Sequence, residues 1–117
     1  MRVAIAGVGW AGTRHVEAIR ELGRKLTVEC LVDHDADFLR EKSAELGVEK
    51  TYGSVDDAIS DTNVDAISIC LPHRDHCEVA IAAAEAGKHV LVEKPMATTV
   101  EEATRMIAAA GHAGVTL

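Results

Sequence analysis

The sequence predicts an α/β domain built on a doubly wound parallel sheet, strand order 3-2-1-4-5, with the first half of a sixth strand at its end. Three observations predict it. Short β-branched runs alternate with helical repeats along the whole chain, the pattern of a parallel sheet covered on both faces. A glycine triplet, Gly7-Val-Gly9-Trp-Ala-Gly12, follows the first run at once and leads into the first helical repeat. Right-handed crossovers from such a start favour the doubly wound order over other arrangements.

Residues 2–6 carry β-branched Val3 and Ile5 and stop abruptly at Gly7. After Gly12, Val16, Ile19 and Leu22 mark one face of a helix that ends at Gly23, a glycine suited to the left-handed C-terminal position. Residues 26–32 read as the second strand, ending in Asp33. A second helix over 36–46 has Phe38, Leu39, Lys42 and Leu46 spaced along it, and Gly47 closes it. A weak third strand lies at 50–52. Ser54-Val-Asp-Asp57 has the form of a capping box, opening a short helix through Ile59. Residues 64–70 form the fourth strand, which Leu71-Pro72 ends. A helix over 76–86 presents Cys77, Ala80, Ile81 and Ala84 on a small-residue face and stops at Gly87. Residues 89–92 are the fifth strand. Thr99-Val-Glu-Glu102 is a second capping box, starting a helix with Val100, Ala103, Ile107 and Ala110 on one side. Residues 114–117 read as the start of the sixth strand.

Composition bounds the partners. With 117 residues, 48% apolar and 26% charged, the chain is one globular domain, short for a complete enzyme. One Trp, one Tyr and one Phe leave the core to Ala, Val, Ile and Leu. A net charge of −7 disfavours nucleic acid and anionic membranes as partners. Three cysteines, an odd count without C-x-x-C spacing, point to reduced thiols in a cytoplasmic protein. The apolar opening is too short for a signal peptide, and no stretch reaches transmembrane length.

The chemistry gathers at strand ends. In Gly7-x-Gly9-x-x-Gly12 the first glycine permits the tight turn, the second lets backbone approach a pyrophosphate, and the third lets the helix pack closely on the sheet. Gly7, Gly9, Trp10, Ala11 and Gly12 are thus the candidate phosphate loop, with the positive helix end holding the charge. Asp33, about twenty residues further on, is placed to bind both ribose hydroxyls of an adenosine and to repel a 2′-phosphate. That favours NAD; NADP stays open because a protonated His34 would accommodate a phosphate. Trp10 either covers the pyrophosphate and nicotinamide end or packs on a neighbouring loop. His15 reads as a packed or capping histidine. Cys70, His73, His76 and Cys77 match no specific zinc template, so no metal is expected. Cys70-Leu71-Pro72-His73 instead form a wall beside the nicotinamide ribose, with His76 opening the helix behind it. In Glu93-Lys94-Pro95, Lys94 at a strand end can hydrogen-bond a substrate hydroxyl and stabilise developing negative charge on oxygen. Pro95 fixes the turn and admits a cis bond.

At these residues the sequence resembles the Gfo/Idh/MocA oxidoreductases (glucose-fructose oxidoreductase, inositol dehydrogenase, rhizopine catabolism). The resemblance runs through residues 3–15, Leu31-Val-Asp33, residues 69–76 and, most specifically, residues 87–97 with Glu93-Lys94-Pro95-Met96-Ala97. It implies a Rossmann domain over residues 1–117 that binds NAD or NADP, in an oxidoreductase acting on sugars, cyclitols or related polyols. It also implies that Lys94 contacts substrate and supports hydride transfer, that Pro95 follows a cis bond, and that His76 lies in the cofactor-side loop. Leu71-Pro72-His73 departs from the family's frequent Thr-Pro-Asn. The resemblance further implies a second domain, absent from this chain, that supplies the acid/base histidine, most substrate contacts and the interface of a homo-oligomer. These residues alone are expected to bind cofactor without turnover. Two other readings stand beside this one. A non-catalytic redox sensor would use the same glycines and Asp33 without needing Lys94, and a reductase of another carbonyl class, such as biliverdin or a cyclic imine, would share every residue named.

Overall fold

Strands β1 (Arg2–Ala6), β2 (Thr27–Val32), β3 (Thr51–Tyr52), β4 (Ala66–Ile69) and β5 (His89–Val92) form one sheet in the computed structural model, which describes residues 1–117. The order is β3-β2-β1-β4-β5 and every pairing is parallel. Helices α1 (Trp10–Glu21), α2 (Ala36–Leu46), α3 (Val55–Ser60), α4 (His76–Glu85) and α5 (Val100–Ala113) complete the alternation.

The strand pleat sorts the apolar residues into two cores. Val3 and Ile5 of β1 face Val16 and Ile19 of α1 and Leu39 and Leu46 of α2. Ala4 and Ala6 face the other way, toward Ala58 of α3, Cys77, Ala80 and Ala83 of α4, and Met106 of α5. Because residues 3–6 of β1 are buried on both sides, they are continuously apolar rather than alternating. Ile5, Leu31 and Ile67 are fully buried, each contributing about 1.5–3 kcal/mol of transfer free energy. At the N-terminal ends of the strands, opposite the candidate site, Asp65 accepts from the Arg2 backbone N–H at 2.7 Å and from its guanidinium at 2.9 Å. This ties β1 to the segment leading into β4.

Several elements differ from the sequence reading. Helix α1 begins at Trp10, inside the glycine motif, and Leu22 lies exposed just beyond its end. Along α5 the buried residues are Met106 and Ala110, whereas Ile107 is 60% exposed and Val100 also faces outward. On α4, Ala83 is buried and Ile81 only half-buried. The rotation of each helix against the sheet decides such faces, and a stripe of alanines does not encode it. Ser54 accepts from the Asp56 N–H at N2 rather than from Asp57 at N3, so it is a plain N-cap and no box forms. Thr99 and Glu102 form the complete reciprocal box. No sixth strand forms over 115–117. The Val115 N–H is drawn back to Ala110 O beyond the left-handed Gly114 cap, leaving one strand-like bond, Val90 N–H to Thr116 O at 2.8 Å.

Candidate cofactor site

The C-terminal ends of β1, β2, β4 and β5 open on one edge of the sheet, and backbone bonds carry the ladder past the strands to hold their loops together. Gly7 N–H donates to Val32 O (2.8 Å), Cys70 N–H to Ala6 O (2.7 Å) and Glu93 N–H to Ile69 O (2.9 Å). The glycine loop, Asp33, the Cys70-Leu71-Pro72-His73 turn and Glu93-Lys94-Pro95 are therefore neighbours, as the doubly wound order requires.

The three glycines are there for different reasons. Gly7 has φ +88°, and a Cβ on it would lie 2.5 Å from Cys70 O. A Cβ on Gly12 would lie 2.0 Å from Gly7 O and 3.2 Å from the Ile5 side chain, so α1 sits directly on the turn. Around Gly9 a Cβ would meet nothing within 4 Å. Only Gly7 and Gly12 are demanded by the chain's own packing; the space beside Gly9 is open. Gly9 is also the N-cap of α1, without a capping side chain or an acidic residue in the first turn. The first intrahelical bond is Thr13 N–H to Gly9 O, which leaves the N–H groups of Trp10, Ala11 and Gly12 ahead of it. Helices α2, α3 and α5 are capped by side chains, and α4 is not. An uncapped N-terminus beside an open glycine fits an anionic pyrophosphate.

Asp33 is mostly buried. One carboxylate oxygen accepts from the Val8 N–H and the other from the Asp35 N–H, both at 3.2 Å, with the exposed His34 ring 3.3 Å away. The carboxylate is thus fastened to the glycine loop. Trp10 is 82% exposed, so it is not packed on a neighbouring loop; it rims a groove of about 450 Å³ with Thr13, Phe38 and Lys42.

Leu71 is half-buried, and Pro72 and His73 are exposed in the turn after β4. His76, expected to open the helix behind that wall, is the first residue of α4. His76 is fully buried, with Nδ1 3.0 Å from Pro95 O and Nε2 2.9 Å from Leu71 O. The ring lies between carbonyls of the two crevice loops, to one of which a neutral imidazole donates, so its side chain sits between those loops instead of facing the cleft. No three His, Cys, Asp or Glu side chains converge as a metal site.

The Lys94–Pro95 bond is cis. Lys94 is exposed and its Nζ makes no hydrogen bond or ion pair, whereas its backbone N–H donates to Glu93 Oε2 at 3.1 Å. Glu93 Oε1 lies 3.0 Å from His15 Nε2, and His15 Nδ1 lies 2.7 Å from Ser68 Oγ. The His15 hydrogen bond, followed by the Lys94 N–H, holds the Glu93 carboxyl below its ordinary value. Burial pushes the Cys70 thiol up to about 11; its sulfur is 3.6 Å from His15 Nδ1. Ser68 escaped the sequence reading. Its signal was a polar residue in the otherwise apolar β4, on the side of the pleat that α1 covers.

The model of the oxidoreductase family with NAD-binding Rossmann fold, GFO_IDH_MocA, matches residues 1–117. Myo-inositol 2-dehydrogenase of Thermotoga maritima is 38% identical over 117 residues, all of this chain and 35% of the relative. The crystal structure of a probable dehydrogenase from Thermotoga maritima superposes with a TM-score of 0.92 at 36% identity, over 98% of this chain and 34% of that one. WlbA dehydrogenase of Bordetella pertussis, solved with NADH and UDP-GlcNAcA, has a TM-score of 0.92 at 33% identity, over 98% of this chain and 34% of its own. The chain spans about a third of the length of these relatives. With its glycine turn, uncapped first helix and parallel order 3-2-1-4-5, the chain belongs to the Gfo/Idh/MocA oxidoreductase family and is its NAD-binding Rossmann domain.

Proposed function

We propose that this domain serves an enzyme that transfers hydride between a nicotinamide dinucleotide, preferentially NAD, and the carbinol carbon of a sugar, cyclitol or related polyol. One juxtaposition carries the reading: an uncapped helix N-terminus beside the open Gly9, the Asp33 carboxylate fastened to that loop, and the exposed, unpaired Lys94 on the loop that follows β5 at the same sheet edge. The substrate class is supported by relatives named for inositol and for a nucleotide-linked sugar acid.

The bound nicotinamide would supply the hydride acceptor or donor. The first-turn N–H groups of Trp10, Ala11 and Gly12 hold the pyrophosphate. Asp33, already accepting two backbone N–H groups, keeps lone pairs for ribose hydroxyls and repels a 2′-phosphate. Cys70, Leu71, Pro72 and His73 wall the nicotinamide side, and Glu93 and Pro95 set the turn that presents Lys94. Lys94 Nζ donates to the reacting substrate oxygen and stabilises charge developing on it. The acid/base histidine, most substrate contacts and the interface of a homo-oligomer belong to a second domain of a cytoplasmic protein. A free amine at the crevice mouth favours this over a sensor, which has no use for it.

The test is a titration of the chain with NADH and, separately, NADPH, read by Trp10 fluorescence. Saturable quenching, tighter for NADH, is expected. Asp33→Ala should weaken NADH about tenfold and NADPH far less. Tighter NADPH binding would overturn the NAD preference, and no response from a folded chain would overturn the site.

A further inference from the structure

His15 stands on the first helix, a turn past the glycine motif, yet its ring reaches across the sheet. It touches Ser68 in the middle of β4 and Glu93 at the end of β5, partners 53 and 78 residues away. Glu93 uses its second oxygen on the Lys94 N–H. The four groups form one line from inside the sheet to the crevice lysine.

The donors and acceptors of the line fix its direction. The Glu93 carboxyl is held below its ordinary value, so it is ionised at neutral pH and only accepts. His15 Nε2 therefore carries a proton and donates to Oε1, while Lys94 N–H donates to Oε2. In the neutral ring Nδ1 is then an acceptor, and Ser68 Oγ–H donates to it. The spacing also resembles that of a serine nucleophile, base and carboxylate. Ser68 exposes no surface, however, so no acyl substrate reaches it and nucleophilic chemistry is excluded. What remains is orientation: a charge-assisted bond holds the Glu93 side chain in the rotamer that also receives the Lys94 N–H.

We propose that His15 is a positioning residue for Lys94: by fixing Glu93 between the α1 helix and the end of β5, it sets the backbone from which the lysine reaches into the crevice. The inference rests on the reading of Lys94 as the substrate-contacting residue, but its geometry does not require turnover to be measured. Loss of the donor frees Glu93 to rotate into solvent, and the Lys94 N–H then loses its partner for part of the time. The same loss removes the largest influence that keeps the Glu93 carboxyl low.

The experiment compares the wild-type chain with His15→Phe, which fills the space without a donor, and His15→Gln, whose side-chain amide can still donate to Glu93. Amide exchange at Lys94 and the carboxyl titration of Glu93 are followed by NMR. In His15→Phe, Lys94 exchange is expected to quicken about fivefold, and the Glu93 midpoint to rise toward its ordinary value, with exchange at Leu31 and Ile67 unchanged. His15→Gln should restore most of both. An unchanged Lys94 amide in a folded His15→Phe chain would overturn the proposal, as would a Gln variant indistinguishable from Phe. Should His15→Phe fail to fold, His15→Leu supplies the comparison: it is smaller, likewise carries no donor and leaves the Glu93 carboxylate in place, and Lys94 exchange must still quicken. Loss of NADH binding in the wild-type chain would refute the dehydrogenase reading while leaving these two signals intact, so the failures are separable.

Discussion

Gly9 and Gly12 are three residues apart in one motif, and the structure predicts opposite consequences for the same substitution. In Gly12→Ala the new methyl would meet Gly7 O at 2.0 Å, a backbone atom that cannot rotate away, and Ile5 at 3.2 Å. Overpacking of this kind costs about 1–3 kcal/mol, here near the upper end because a carbonyl is involved. Alanine returns about 1 kcal/mol of helix propensity over glycine. The net loss is about 2 kcal/mol, or roughly 8 °C in Tm for a domain of this size. In Gly9→Ala the methyl meets nothing within 4 Å and φ is negative. Alanine is the poorer N-cap by about 0.5 kcal/mol, and the stiffer unfolded chain returns about the same. Stability should stay within about 0.5 kcal/mol of wild type, yet the methyl stands where a pyrophosphate must approach the backbone. At least one hydrogen bond is lost, about tenfold in NADH affinity. Urea melts followed by circular dichroism give the first quantity and Trp10 quenching the second. A Gly9→Ala chain that binds NADH like wild type would refute the close-approach role of Gly9, and a Gly12→Ala chain of unchanged stability would refute the packing argument.

Met106→Ala, at 1% exposure on α5, should cost about 2–4 kcal/mol in urea melts, while the adjacent Ile107→Ala should stay within about 0.5 kcal/mol. Asp65 is held to about 2 by the Arg2 side chain and then the Arg2 N–H. A carboxyl lowered on folding stabilises above its unfolded value of 3.8 and loses that contribution as pH falls from there toward 2. Asp65→Asn should therefore lower stability at neutral pH and flatten the acid limb, with Asp61, also about 2, accounting for what remains. Burial raises Cys30 to about 12 and Cys70 to about 11. A disulfide reagent at pH 8 should label the native chain at least about 100-fold more slowly than the urea-unfolded one, and fast labelling of one thiol would identify a loosely packed segment.

What the sequence determined by itself is local. Gly7-x-Gly9-x-x-Gly12 after Val3 and Ile5 fixes a strand, a turn and a helix entry, because each glycine answers to atoms within a few residues or to the strand end beside it. The alternation of strands and helices then dictates a parallel sheet, and with right-handed crossovers the strand order follows. Asp33 and Lys94 are brought to one edge by that order alone. Tertiary structure decided whatever depends on how helices rotate on the sheet and which pleat face meets which helix. The α5 face turned from Ile107 to Met106 because alanine-rich helices carry little directional information. His76 proved to be an internal clamp between Leu71 O and Pro95 O, since a histidine's spacing does not reveal whether its ring faces a cleft or two carbonyls. The line from Ser68 through His15 to Glu93 and Lys94 was invisible because its members are scattered from α1 to β5. Only the β1–β4–β5 register brings them within hydrogen-bond reach.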